Sequence, residues 1–523
     1  MSERLARSAG LIGLATLTSR VLGLVRDVVQ GAFFGTSAAA DAFVVATRLP
    51  TLLRDLFAEG AMSAAFVPIF TRHLTRDGRA AAWRLGSQVI NALALITGIV
   101  VIVAIVFVDP LTRFYAAEYA DTPEKLRLTT DLARVNMPFL LLVAVAAALM
   151  GMLNSLRRFL IPALSPVTYN VVFILCMVIL VPVLRRMGME PVMALSAGML
   201  LGGVAQIAIQ WPALRAEGYR HQWILDRHDA GLREVLVLMG PATLGVAAAQ
   251  INLLVNTWLA TAEDGAASAL GYAFRLMYMP IGIFGVSVAT AVLPDLARQA
   301  TMGEHDRMRT TVSSGLRLML MLGVPATVGL MVLSEPIVRL IFERGQFHAA
   351  STALVAGALF YYAPGVLGYS IVKIASPTFY SLQDTRTPVL ISVISILLNL
   401  GLNLWLHTLM GFRGLALGTA LAACVNAALL LWLLARRLGG LDGRRVVQAF
   451  VKIAVASAVM GVAAWFTHAW LAGVWPSPRF VPQLLRVSST IAISLAVLAL
   501  SAHLLRIDEF RLAVGRVLAR LKG

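Results

Sequence analysis

The sequence predicts an all-α polytopic membrane protein with about fourteen transmembrane helices, built as two parallel six-helix repeats and two extra C-terminal helices. Three observations predict it. Hydrophobic residues fill 59% of the 523 positions against 14% that are charged, and the mean hydropathy is +0.80, outside the range of soluble domains. Apolar runs of about twenty residues, the length that crosses a bilayer, recur from end to end. Prolines and arginines also recur at a constant offset of 226 residues, which pairs Pro68 with Pro294, Arg72 with Arg298, Pro110 with Pro336, Arg113 with Arg339, Pro138 with Pro364 and Pro162 with Pro388. An ordered series of this kind marks homologous halves. Six helices is an even number, so both halves insert in one orientation about an axis along the membrane normal, with a site expected between them.

The predicted spans are 8–31, 39–70, 86–108, 133–155, 162–184, 191–213, 235–261, 267–293, 315–340, 352–376, 388–409, 413–435, 447–472 and 483–505. Arg4 and Arg7 precede the first apolar run, as they would in a signal peptide. Arg20 interrupts that run and no cleavage site follows, so it is expected to be the first helix of the mature protein. Alternate loops sort by charge: one set holds Arg72, Arg76, Arg79, Arg84, Arg157, Arg158, Arg298, Arg307, Arg309, Arg436, Arg437, Arg444 and Arg445. The other holds the uncharged run after Gly31, the Glu263–Asp264 turn and a mixed segment from Asp109 to Arg134. The positive-inside rule then places both termini in the cytoplasm.

The expected division is 1–215 for the first lobe, 216–234 for a cytoplasmic linker carrying Tyr219 and Trp223, and 235–437 for the second lobe. Helices thirteen and fourteen (438–506) lie outside the repeat. Residues 507–523 put Phe510, Val514, Val517, Leu518 and Leu521 on one helical face and Arg511, Arg516 and Arg520 on the other, the pattern of an interfacial helix.

The net charge of +17 is absorbed by this topology and calls for no nucleic-acid partner. Cys176 and Cys424 sit inside apolar helices as packing residues. His305, His407 and His468 lack metal-ligand spacing, so no metal is expected. No phosphate-binding glycine loop, nucleophile elbow or zinc helix motif is present, which argues against ATP use and against the commonest hydrolase chemistries. No cofactor is expected. The energy source is then the membrane potential, which supplies about 2.3 kcal/mol per charge per 100 mV, or a monovalent cation gradient.

The informative stretch runs from Ser19 to Phe70. Two apolar spans there carry Arg20, Arg26, Asp27, Asp41, Arg48, Arg54, Asp55 and Glu59, although each charge at membrane depth costs roughly 2.5 kcal/mol or more. At about 100° per residue Asp41, Arg48, Asp55 and Glu59 share a stripe of the second helix, and Arg20 and Asp27 align on the first. Such a stripe must face protein or a watery cavity. Pro50, Gly60 and Pro68 predict a broken second helix, and breaks at depth line cavities. The acids either pair with the arginines to lock helices together or serve in binding and gating. Arg275 is the second half's contribution, since subtracting 226 gives position 49, next to Arg48. Arg20, Arg26, Arg48, Arg54 and Arg275 are therefore expected to converge. A set of guanidinium groups suits an oxyanion such as a phosphate or diphosphate, because Arg binds it bidentately and stays charged. Asn252, Asn256, Asn399, Asn403 and Thr419 are neutral oxygen donors that fit either a weak monovalent-cation site or interhelical hydrogen bonds. Lys373 is placed to snorkel.

SRVLGLVRD (19–27), ADAFVVATRLPTLLRDLFAEGAMSAAFVPIF (40–70) and FRLMYMPIGIFGVSVATAVLP (274–294) closely resemble the MurJ (MviN) family of lipid II flippases, within the multidrug/oligosaccharidyl-lipid/polysaccharide (MOP) exporter superfamily. The resemblance covers the whole chain. It implies a V-shaped pair of lobes that alternate access in the bacterial inner membrane, and transport of lipid II from the cytoplasmic to the periplasmic leaflet. It implies that Arg20, Arg26, Arg54 and Arg275 are cavity arginines, with Asp27, Asp41 and Glu59 as associated acids. Helices thirteen and fourteen would form a groove for the lipid tail, and cell-wall synthesis and division proteins are candidate partners. Arg48 and Asp55 carry no such implied role. Two other readings are an exporter of drugs or another lipid-linked oligosaccharide, and a membrane-embedded glycosyltransferase using Asp109, Glu118 or Asp121. The arginines disfavour a cationic drug, and nothing groups those three acids into a site.

Overall fold

The computed structural model describes residues 2–56, 60–477 and 479–511. Every regular element among the described residues is helical. The chain forms two compact units, Met1–Ser268 with Arg344–Phe347, and Ala269–Glu343 with His348–Gly523.

The first unit contains α1 (Ser2–Phe34), α2 (Ala38–Ala46), α3 (Arg48–Arg54), α4 (Gly60–Arg76), α5 (Gly78–Val106), α6 (Val108–Tyr115), α7 (Pro123–Asn136), α8 (Phe139–Ser155), α9 (Leu160–Arg186), α10 (Met193–Ala216) and α11 (Ala230–Ala260). α9 packs between α1 and α10, and α4 packs on α8 and α11. Phe66 and Phe70 of α4 and Trp83 of α5 stack in sequence inside one continuous core. The 216–234 segment folds back onto α5: Tyr219 is 1% exposed, its ring lies 5.3 Å from Trp83, and its hydroxyl is 3.1 Å from Ser87 Oγ. Asn91 Nδ2 donates to the Gln222 and Ile224 carbonyls at 2.8 Å. Arg72 grips both oxygens of Glu234.

α12 (Ala266–Pro280) leads into the second unit, followed by α13 (Val286–Thr301), α14 (His305–Val332), α15 (Ser334–Phe342), α16 (Ala349–Tyr362), α17 (Gly365–Ser381), α18 (Arg386–Met410), α19 (Phe412–Arg437), α20 (Gly443–Val474) and α21 (Phe480–Leu504). Here α19 packs on α17 and α18, and α20 packs on α14 and α21.

The 226-residue offset reappears in the element boundaries. Pro123 and Ala349, Phe139 and Gly365, and Leu160 and Arg386 each begin a helix in their own half. The breaks correspond as well. A π-type stretch at Ile281–Gly285 follows Pro280, and the equivalent stretch begins in π-type backbone at Asp55 and Leu56. In the second half Pro280 is the cause: proline lacks the N–H that would bond to residue i−4, and a widened turn accommodates the freed carbonyl.

Two expectations change. Each of the fourteen predicted spans coincides with helix, but among the described residues ten helices are long and apolar enough to cross a membrane, or eleven if the α16–α17 pair, bent by 45°, is one span. The first, second and seventh predicted spans are not among them. The second is described as α2, α3 and α4, of 9, 7 and 17 residues, with residues 57–59 outside the described residues. The mixed 109–134 segment is mostly helical, because Pro123 at the first turn of α7, followed by Glu124, is a helix-start signature that extends α8 upstream. For the 507–523 helix, residues 512–523 lie outside the described residues, and 508–511 are helical.

α17 and α19 meet at Gly368, where an added Cβ would sit 2.5 Å from the Ala423 carbonyl carbon and 2.6 Å from the Cys424 nitrogen. Backbone atoms cannot move aside, so Gly368→Ala is expected to lower stability by about 1–3 kcal/mol. Gly271 meets nothing within 4 Å, and Gly271→Ala is expected to leave stability unchanged or raise it by about 0.5–1 kcal/mol. Thermal unfolding of both variants in detergent checks the pair.

Candidate functional site

The charges of the first two predicted spans fall into three local arrangements within the first unit. On α1, Arg26 Nη2 lies 3.1 Å from Asp27 Oδ1, and Asp27 is 3% exposed. The Arg26 guanidinium rests over the rings of Tyr169 and Phe173 on α9, 5.9 and 5.4 Å from their centroids. These rings offer their electron-rich faces to the cation and cover the stem. Asn170 Nδ2 donates to the Ser19 carbonyl at 3.3 Å and ties the same two helices together. Arg20, one residue on, is exposed.

At the end of α3, Arg54 Nε and Nη2 both donate to Asp55 Oδ1, at 2.9 and 2.7 Å. The other oxygen of Asp55 accepts from Gln250 Nε2 of α11 at 3.0 Å. Arg48, at the start of α3, is half-buried. The pair therefore sits at the break of the second span, where π-type backbone begins.

Asp41 belongs to a third arrangement. It is 0% exposed, and its carboxylate accepts from Lys125 Nζ of α7 at 3.3 Å, from the Gly265 amide at 2.6 Å, and from the Ser268 amide and hydroxyl at 2.9 and 2.7 Å. Lys125 in turn reaches Asp264 at 2.7 Å and lies 4.2 Å from the Tyr119 ring centroid. The hydrogen bonds to Gly265 and Ser268 come from the start of α12, where amides have no intrahelical acceptor and the helix dipole favours an anion. Asp41 thus fastens α2 to α7 and to the α12 N-terminus.

Lys125 has a consequence for charge balance. It takes Asp41 out of the set, so Arg20, Arg26, Arg48 and Arg54 stand against Asp27, Asp55 and Glu59. Glu59 lies outside the described residues. Sequence reading placed Lys125 in a mixed loop. Its signal was present in the Pro123–Glu124 helix start and the opposite charge of the Glu263–Asp264 turn. Gln250, Tyr169 and Phe173 carried no such signal, because a neutral amide and aromatic rings in apolar helices read as packing.

Arg275 is exposed on α12, within the second unit. Its neighbour Phe274 makes ring contacts with Tyr278, Tyr362 and Tyr369, at centroid distances of 5.9, 5.6 and 6.3 Å. Of the neutral donors, Asn399 and Asn403 hydrogen-bond each other along α18 at 3.4 and 3.3 Å. Thr419 Oγ1 donates to the Leu415 carbonyl at 2.8 Å, and Asn256 lies in the first unit. Among the described residues no group of three or more His, Cys, Asp or Glu side chains is placed to hold a metal.

The helical architecture is that of MOP-superfamily membrane transporters. A solved structure titled an inward-facing conformation of a multidrug resistance MATE family transporter superposes with a TM-score of 0.63 at 15% identity, over 82% of this chain and 99% of that one. A lipid II flippase MurJ solved in an inward closed conformation gives a TM-score of 0.76 at 25% identity, over 94% of this chain and 99% of that one. The family profile described as Lipid II flippase MurJ matches residues 31–485. A protein of Rhizobium meliloti (strain 1021) named "Probable lipid II flippase MurJ" is 37% identical over 476 residues, 90% of this chain and 88% of its own length. The chain belongs to the lipid II flippase MurJ family.

The Asp41 network generates a stability prediction. Lys125→Met leaves a buried carboxylate without its counter-charge, and Asp41→Ala leaves Lys125 with Asp264 alone and the buried Gly265 and Ser268 donors without their acceptor. Each is expected to cost about 3–5 kcal/mol. The double variant is expected to recover part of the Lys125→Met loss, measured by unfolding of the purified proteins in detergent.

Proposed function

We infer that this chain is a flippase that moves lipid II, the undecaprenyl-diphosphate-linked disaccharide pentapeptide, from the cytoplasmic to the periplasmic leaflet of the bacterial inner membrane. The observation that carries the inference is a set of arginines on membrane helices of a MurJ family chain, placed on broken or closely packed segments and exceeding the acids that remain once Lys125 neutralises Asp41. Diphosphate is the part of lipid II that guanidinium groups recognise best, by paired charge-assisted hydrogen bonds.

In this reading Arg20, Arg26, Arg54 and Arg275 hold the diphosphate and Arg48 adds positive potential. Asp27 and Asp55 keep Arg26 and Arg54 oriented until the anion arrives, and Glu59 belongs to the same stretch. Asp41 acts at a distance from the ligand, by fixing the helix that carries Arg48 and Arg54. The two six-helix repeats alternate access, with residues 216–234 as linker. Helices thirteen and fourteen take the polyprenyl tail, and both termini lie in the cytoplasm. A ligand that binds one state better than the other shifts the population toward it by that difference in affinity. Breaks at repeat-equivalent positions in the second and eighth spans supply backbone able to change shape.

Energy is drawn from the membrane potential, without nucleotide or cofactor. Asn399 and Asn403 bond to each other, which favours a packing role over cation coupling. Collapsing the potential is therefore expected to stop transport, whereas complete replacement of sodium by a non-transported cation leaves it unchanged.

The test of the site is alanine substitution at 20, 26, 54 and 275, one at a time, in proteoliposomes loaded with lipid II. Loss of one charge-assisted contact is expected to weaken function at least about tenfold, with membrane insertion preserved. Wild-type translocation by all four variants would remove these arginines from the mechanism.

A further inference from the structure

A second cationic site lies in the C-terminal half, apart from the arginines already described. A cavity of about 420 Å³ is walled by Arg317 of α14, Arg445 and Lys452 of α20, and Arg506, Asp508 and Glu509 just beyond α21. That volume falls within the range of sites that take small ligands, about 300–1,000 Å³. Four cations face two carboxylates. Glu509 is already engaged, since Arg317 Nε lies 3.2 Å from its Oε1. Asp508 is exposed.

Among the described residues, Arg445 and Lys452 form no ion pair. Lys452 Nζ reaches only the Arg506 carbonyl, at 3.5 Å. Arg506 takes the left-handed position, with φ of 51°, that ends α21, and the Ile507 amide donates to the Ala502 carbonyl at 3.0 Å. Ile507 is 2% exposed and belongs to the apolar cluster that joins α14, α20 and α21. The cavity is a concavity between packed helices whose four cations outnumber its two carboxylates, one of them held by Arg317.

We propose that this cavity binds the phosphate of an anionic phospholipid. Oriented Arg and Lys donors recognise a phosphodiester, and basic pockets between helices at a membrane face take lipid headgroups. A lipid fits better than a free anion because exposed apolar residues sit on the same turns as the cavity: Val447 and Val451 on α20 are 60% and 53% exposed, and Leu504 at the end of α21 is 70% exposed. Acyl chains lie against such a surface while the phosphate meets Arg445, Lys452 and Arg506. Bound in this way, the lipid ties the end of α21 to α14 and α20.

The test uses the full-length protein in nanodiscs of mixed phosphatidylglycerol and phosphatidylcholine, with retained lipid measured after delipidation. Wild type is expected to retain phosphatidylglycerol in preference to phosphatidylcholine. Arg445→Gln combined with Lys452→Gln is expected to lower that preference about tenfold. Glu509→Gln removes a competing carboxylate and is expected to raise it, an effect opposite in sign to misfolding. Equal preference in wild type and the double variant overturns the site, as does a fall in Glu509→Gln. Displacement of phosphatidylglycerol by millimolar inorganic phosphate assigns the cavity to a free anion and overturns the lipid. Each readout is binding, so the result stands whether or not lipid II is the transported substrate.

Discussion

An ion in a membrane helix must find its counter-charge inside the protein, and this requirement shapes the first unit of the chain. Asp41 is the strongest case. Its fully buried carboxylate gathers an ammonium, two amides and a hydroxyl from α7 and the start of α12. Without that network the charge would cost several kcal/mol. With it, three separate segments are held at one point, and the short helices that follow are fixed at their upstream end. Neutralisation and helix placement are here the same interaction.

The arginines are treated differently. Arg26 and Arg54 each pair with the carboxylate next in sequence, a contact that bridges no helices and so contributes little to assembly. Their cross-helix contacts are to rings or, through Asp55, to the amide of Gln250. Such partners hold each guanidinium in place beside its neighbouring carboxylate. The distinction separates a charge that joins three segments from pairs that stay local to one helix end. It also explains how eight ionisable groups in Ser19–Phe70 can coexist with a well-packed core.

Much of this was legible in the sequence, and the reason is periodicity. Hydropathy marked the apolar helices, and the offset of 226 anticipated paired helix starts as far apart as Pro123 and Leu160. The broken second span expected from Pro50, Gly60 and Pro68 shows in the turn at Thr47 and the π-type backbone at Asp55 and Leu56. The pattern did not say that the 109–134 segment would be mostly helical, because its mixed charges hide the Pro123 start. Charge singled out Arg26, Asp27, Arg54 and Asp55 but not their partners. Lys125 escaped notice because ion pairing over 84 positions leaves no local signature. Asp41 was grouped with the arginines by its helical phase, and its contacts assign it to α7 and α12.

The proposed activity is movement of lipid II across the membrane by this chain. The most direct measurement depletes the protein from growing cells and asks whether lipid II remains accessible to an externally added cleaving enzyme. If the chain is the flippase, lipid II accumulates and becomes inaccessible from outside. Continued cleavage at the undepleted rate would contradict it.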